Sequence, residues 1–309
     1  MTGEQGRDAP DTPVSYGGQA LIEGVMIRSP RALAAAARRP DGEIIVSARR
    51  LGGLLTGPQR RIPVLRGVLA LWEMIALGIR ALSWSSAVAE GRVDGSGELD
   101  RVGARAWLSA LASLLVATAI VFLLPVAMTA WLATRLPAPW LAVAAEGLLR
   151  VVIVVAYVWV LGRSEEVRRL FEYHGAEHMA IATLERGREL TVPSIRRESR
   201  EHPRCGTSFL LAVAIIAGLV FLPFGAPPLP WWLASRVVLI PLVAAVAYEA
   251  IRFAGAHPQA PLVRWAFWGN LALQRLTTRE PDDEQIQVAV AALERARDEE
   301  LSARRGAGS

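Results

Sequence analysis

Four apolar stretches, at 107–132, 140–161, 208–224 and 236–254, constrain this chain more than any other feature of its sequence. Each comes close to the roughly 20 residues that a helix needs to cross about 30 Å of hydrocarbon. Inside a bilayer every backbone N–H and C=O must be satisfied within the segment, so such stretches are helices. The expected fold is therefore mainly α: a polytopic membrane helix bundle of about four transmembrane helices. The chain is 52% hydrophobic yet 20% charged, and the two kinds of residue fall in separate blocks.

The charge distribution sets an orientation. All basic residues are arginine; nine of them lie in 162–207, and Arg92, Arg101 and Arg105 precede the first span. The connection between the first two spans carries only Arg135, and that between the last two carries no charge. By the positive-inside bias, both termini and the 162–207 segment are expected in the cytoplasm. Residues 1–13 are polar and expected to be disordered, and no cleavable signal peptide is expected. The basic excess sits beside apolar spans, where anionic lipid accounts for it. Nucleic acid is not an expected partner, since no nucleic-acid motif is present.

Around the spans, residues 63–90 read as an amphipathic helix lying in the interface. Arg66, Glu73 and Arg80 recur every seven residues along one face, and a fifth crossing would split the arginine clusters. Within a small β-containing region at 14–62, Arg39-Pro40-Asp41-Gly42 marks the turn of a β-hairpin, although the alanines of its first arm favour helix. Residues 255–309 read as cytoplasmic helices. A Trp-rich stretch at 264–276 rests at the interface, and Thr278 to Glu284 starts a solvated amphipathic helix running to about 303.

The chemistry concentrates in the 162–207 segment, which holds three of the four histidines and the single cysteine. In His174-Gly175-Ala176-Glu177-His178 the two histidines stand four apart, on one face of a helix, and suit a shared metal ion. This is the H-x-x-E-H pattern of inverted zinc peptidases, a modest signal. His202-Pro203-Arg204-Cys205 adds an imidazole and a thiol. His174, His178, His202 and Cys205 are thus candidate ligands for a divalent metal, zinc first, as a closed structural shell or an open catalytic one. The blander alternative is a histidine pair that binds headgroups or neighbouring loops beside a small buried cysteine.

Glu177 is a candidate base. Two further acids join it: Glu249, at the cytoplasmic end of the fourth span, and Glu23, within Tyr16-Gly17-Gly18-Gln19-Ala20-Leu21-Ile22-Glu23-Gly24-Val25-Met26. The glycines of that block permit close backbone approach to another element or ligand, or a tight turn into a strand. Glu146 and Arg150, one turn apart inside the second span, are expected to form an ion pair facing the bundle interior.

These blocks together resemble the YqhQ-like bacterial membrane family of domain of unknown function 1385. The resemblance is carried by Tyr16 to Met26, Leu65-Arg66-Gly67, Tyr173 to His178, His202 to Phe209, Leu239-Ile240-Pro241 with Tyr248-Glu249, and Leu276-Thr277-Thr278 with Glu280-Pro281. Met179 and Pro203 depart from residues common in relatives, and neither change removes a ligand. The resemblance implies a multi-pass protein of a bacterial cytoplasmic membrane, and members are commonly labelled predicted metal-dependent enzymes. The leading expectation is a metal-dependent hydrolase at the cytoplasmic face with an unassigned substrate. A non-catalytic membrane scaffold or assembly factor comes second and a transporter third. Lipid bilayer is the expected partner, and a second copy of the chain remains open.

Overall fold

The computed structural model describes residues 14–52, 65–93, 103–202, 205, 207–257, 260, 261, 269 and 272–306. The expected disorder at 1–13 and much of the Trp-rich stretch lie outside the described residues.

Turn chemistry organises the N-terminal layer. Strands β1 (Gly17–Leu21), β2 (Gly24–Arg28), β3 (Ala32–Arg38) and β4 (Ile44–Arg50) form an antiparallel meander in the order β1-β2-β3-β4. The expected turn joins β3 to β4, with the Gly42 N–H donating to the Arg39 carbonyl at 3.0 Å and Gly42 at φ 91°. The expected single hairpin is thereby extended to four strands, because the glycine-rich block folds into a second hairpin whose two-residue turn is Ile22-Glu23. Every residue from Ala32 to Ala37 is buried. Helices cover both faces of β3, and alanine lets them approach closely, so tertiary context overrides the alanines' preference for helix.

On one face lies α1 (Leu65–Ala89), whose Leu77, Ala81, Trp84 and Val88 pack on Leu21, Leu33 and Ala35. Its length and apolarity alone would suit a crossing. Its polar face is turned inward, with Glu73 paired to Arg28 and Gly78 set against Gln19. Trp72 and Met74 remain exposed on the other side.

The apolar helices follow. A continuous 30-residue run comprises α2 (Ala104–Thr118), a π-helical turn Ala119–Leu123 and α3 (Leu124–Ala133), and only 17% of its most apolar window is buried. Next come α4 (Pro139–Leu161), α5 (Glu165–Glu185), the short α6 (Val192–Ile195) and α7 (Thr207–Phe221), which ends in the 3-10 turn Leu222–Phe224. The last apolar unit is a broken pair, α8 (Leu229–Val238) and α9 (Ile240–Ala256), bent by 48°. The fourth apolar stretch therefore starts earlier than residue 236 and kinks where Pro241 opens the next helix. Among the described residues three helices are long and apolar enough to cross a membrane, or four if the bent pair is one span, while α7 is shorter.

Where these helices meet, three charges are fully buried. Glu146 pairs with Arg150 as expected and also receives Arg236 Nη2 at 2.6 Å and Trp232 Nε1 at 3.0 Å. Arg150 Nε donates to the Val121 carbonyl at 3.1 Å, within the π turn. A π turn disturbs the regular i to i−4 ladder, so a carbonyl there is open to a side-chain donor.

The C-terminal helix closes the other face of the sheet. After the helical residues 272–277 (α10), α11 runs Asp283–Gly306. Its cap is Asp282 rather than Thr278: Gln285 N donates to Asp282 Oδ1 at 2.7 Å and Asp282 N donates to Gln285 Oε1 at 2.9 Å, a reciprocal capping box. The expectation of a solvated helix is corrected here. Ile286, Ala289, Leu293 and Ala296 of α11 are buried in one core with Val25 and Ile27 of the sheet and Tyr173 of α5. The N-terminal sheet, α5 and the C-terminal helix thus form a single body.

Candidate metal centre

Helix α5 carries the histidine motif. Ser164 caps it, its Oγ accepting from the Val167 N–H, and Glu165 and Glu166 complement the positive end of the helix dipole. Tyr173, Ala176 and Ala180 anchor the helix in the shared core, which sets His174, Glu177 and His178 along the border with β1. Gly175 has no room for a side chain, because the carbonyl of Arg279 lies against it, and Arg279 N donates to the Phe171 carbonyl at 2.9 Å. This contact brings the end of α10 alongside the motif.

Both histidines are oriented by backbone. His174 Nδ1 is 2.8 Å from the Thr277 carbonyl, and His178 Nδ1 is 2.6 Å from the Arg200 carbonyl. A carbonyl only accepts, so the proton sits on each Nδ1 and each Nε2 presents its lone pair. His174 Nε2 lies 3.3 Å from Cys205 Sγ. One ligand atom each from His174, His178 and Cys205 falls within 4.8 Å of the others.

Burial disfavours the charged forms of both imidazoles and of Glu177. Burial holds the His174 imidazole below its usual pKa; burial, helped by the neighbouring His174 and His202, lowers His178 to about 3. Burial pushes Glu177 up to about 8. Its Oε2 is 3.6 Å from His178 Nε2. On the opposite side Gly18 is pressed against it: a Cβ there would stand 2.6 Å from Glu177 Cγ and Oε1. The close backbone approach that the glycine block allowed is to the acid of the His-Glu-His motif.

The other predicted residues fall elsewhere. His202 lines the same cavity but is outside the three-atom cluster, its Nε2 lying 3.3 Å from Glu185 Oε2. Its backbone is clasped by Gln274, which accepts from His202 N and donates to His202 O, both at 2.9 Å. Glu249 is engaged by Arg66, with Nε to Oε1 at 2.6 Å, and does not line the cavity. Glu23 sits in the β1–β2 turn at φ 50° and grips Arg169, with Nη2 to Oε2 at 2.6 Å, and the Tyr173 hydroxyl at 3.2 Å. Its carboxylate raises the Arg169 pKa, and the burial of Tyr173 beside it raises that phenol. Glu23 tethers the hairpin to α5. Of the three acids, only Glu177 is at the cluster. Sequence reasoning missed Gln274 and the two orienting carbonyls, which have no signal in residue spacing.

A family model described as "Protein of unknown function (DUF1385)" matches residues 62–299, which take in every candidate ligand. The chain belongs to this family. It is similar to the "Uncharacterized protein YqhQ" of Bacillus subtilis (strain 168), at 32% identity over 288 residues, covering 90% of this chain and 91% of that protein. No solved structure matches the chain. Membership carries no activity, so the function must be argued from the cluster itself.

Proposed function

We propose that this protein is a multi-pass membrane enzyme that holds a divalent metal, zinc first, and hydrolyses a substrate at the cytoplasmic face. The observation that carries the reading is the convergence of His174 Nε2, a His178 nitrogen and Cys205 Sγ within 4.8 Å, beside the buried Glu177. Two neutral imidazoles, each with Nδ1–H fixed by a carbonyl, and one thiol make a borderline-soft donor set suited to zinc. Three protein ligands leave a fourth position, and the cavity of about 20 Å³ matches one water molecule. A zinc ion there supplies Lewis acidity and draws the pKa of water toward neutrality.

The chain's own residues do the rest. Glu177 lines the cavity, and although burial favours its protonated form, a cation bound beside it would favour the carboxylate, which could then accept the proton of a water held there. Gly18, with no side chain, leaves room for that carboxyl, which a Cβ there would approach to 2.6 Å. His202 and Glu185 form a polar path from the cavity to the surface. The membrane setting rests on the largely exposed apolar surface of the 104–133 helix and on Arg135 over Trp131 and Arg163 over Trp159, the aromatic and cationic pairs expected near a lipid interface. The positive-inside bias then puts the sheet, α5 and α11 in the cytoplasm.

The second reading is a scaffold in which the same three ligands clamp the segment beneath the bundle, favoured by the small size of the cavity. Elemental analysis of detergent-purified protein decides first. About one metal per chain is expected, lost in His174→Ala and His178→Ala. Absence of stoichiometric metal in protein never exposed to chelator sinks the enzyme reading. Loss of hydrolysis in Glu177→Gln with metal retained separates enzyme from clamp.

A further inference from the structure

β1 is the edge strand of the sheet, and its outer edge lies at the candidate metal centre. Leu21 opposite Gly24 closes the two-residue turn, so residues 17, 19 and 21 direct their N–H and C=O toward β2. The alternation is confirmed one strand further in, where Arg38 N donates to the Glu23 carbonyl. Gly18 and Ala20 therefore point their backbone groups away from the sheet. Among the described residues neither makes a hydrogen bond on that side, and both are partly exposed. Gly17 and Gly18 line the cavity together with His174, Glu177 and His178. At Gly17 a Cβ would meet nothing within 4 Å, so the side chain is dispensable on the open side.

A partly exposed edge with unpaired donors and acceptors is a template for one more strand. Natural sheets usually blunt such an edge with charge, proline or a bulge, and β1, with the sequence Gly-Gly-Gln-Ala-Leu, has none of these. We propose that the substrate is an extended polypeptide, which adds to the free edge of β1 through the N–H and C=O of Gly18 and Ala20 and so lays a backbone carbonyl beside Glu177 and the His174/His178/Cys205 cluster. The inference rests on the hydrolase reading and gives it a substrate class. The reaction consumes one water: its oxygen bonds to the carbonyl carbon, the C–N bond breaks, and the proton held by Glu177 passes to the departing amine. The absence of side chains at residues 17 and 18 leaves sequence preference to other surfaces, so recognition is through the backbone.

The test uses full-length protein in detergent and a fluorescein-labelled tryptic digest of reduced casein, followed by anisotropy. Ala20→Pro removes only the outward N–H, at a position where an edge strand tolerates proline. The digest is expected to bind wild type and Ala20→Ser alike and Ala20→Pro about three- to tenfold more weakly, the loss of one hydrogen bond. Equal binding by Ala20→Pro, or no binding by wild type, overturns the proposal. Should Ala20→Pro not fold, amide exchange of wild type decides, with protection of residues 18 and 20 by the digest expected and unchanged exchange overturning it. New amino termini are counted in the same samples. Binding lost in Ala20→Pro without cleavage by wild type leaves the edge standing and sinks the hydrolase reading. Cleavage unaffected by Ala20→Pro does the reverse.

Discussion

Gly18→Ala tests the geometry of the centre without reference to any activity. The added Cβ would lie 2.6 Å from Glu177 Cγ and Oε1 and 2.7 Å from Cδ, well inside van der Waals contact, and Glu177 is only 4% exposed. The clash moves either the carboxyl or β1, and overpacking of this kind costs about 1–3 kcal/mol. In a strand with ordinary space the same change would gain about 0.4–1 kcal/mol by restricting the unfolded chain. The sign therefore depends on one side chain. In a Glu177→Ala background the obstructing atoms are gone, so Gly18→Ala is expected to be neutral or slightly stabilising there and destabilising in wild type. The coupling read from the double-mutant cycle should be about 1–3 kcal/mol. Thermal unfolding of the four proteins in detergent, followed by tryptophan fluorescence, measures it. Equal effects of Gly18→Ala in both backgrounds would refute the packing of β1 on the His-Glu-His helix.

Other expectations follow from the same contacts. Glu300 is fully buried and accepts from Ser29 Oγ, Arg31 N and Arg304 Nε; its burial alone would raise its pKa, but the bonds from Arg304, Ser29 and Arg31 prevail and lower it. A folded pKa below the unfolded one gives stability that is present above the unfolded value of about 4.3 and is lost as pH falls from there through the lower folded value, so acid titration of unfolding should show a loss below about pH 5 that Glu300→Gln lacks. Glu23 is held at φ 50°, where glycine is at ease, so Glu23→Gly should unfold at a higher temperature than Glu23→Ala, by the equivalent of about 1 kcal/mol, both having lost the Arg169 pair. Glu146→Gln leaves Arg150 and Arg236 buried without their shared carboxylate and should cost about 3–5 kcal/mol, visible as lower yield and a lower unfolding temperature in detergent. A drop no larger than that of an exposed substitution would argue against the three-charge cluster.

Much of this arrangement was legible in the sequence, for physical reasons that can be named. The His174–His178 spacing is a local helical property, and only a helix had to form for it to converge. The turn at Arg39 to Gly42 is likewise local chemistry. Gly17-Gly18 announced a close approach, but the identity of the approaching group, Glu177, depends on a contact between residues some 160 positions apart. The same limit hid the Gln274 clasp on His202 and the engagement of Glu249 by Arg66, each a pairing of distant segments. β3 was harder because its alanines carry a helical preference, and only the helices on its two faces explain why they are strand. Arg236 was visible as an arginine at the head of an apolar stretch, yet its partner Glu146 belongs to another helix.

X-ray absorption at the zinc edge on protein purified in detergent without chelator tests the central claim most directly. The account predicts a four-coordinate shell with two nitrogen ligands at about 2.0–2.1 Å, one sulfur at about 2.3 Å and one light-atom ligand, the sulfur vanishing in Cys205→Ser. A shell without sulfur in wild type, or a shell unchanged by Cys205→Ser and His174→Ala, would contradict it.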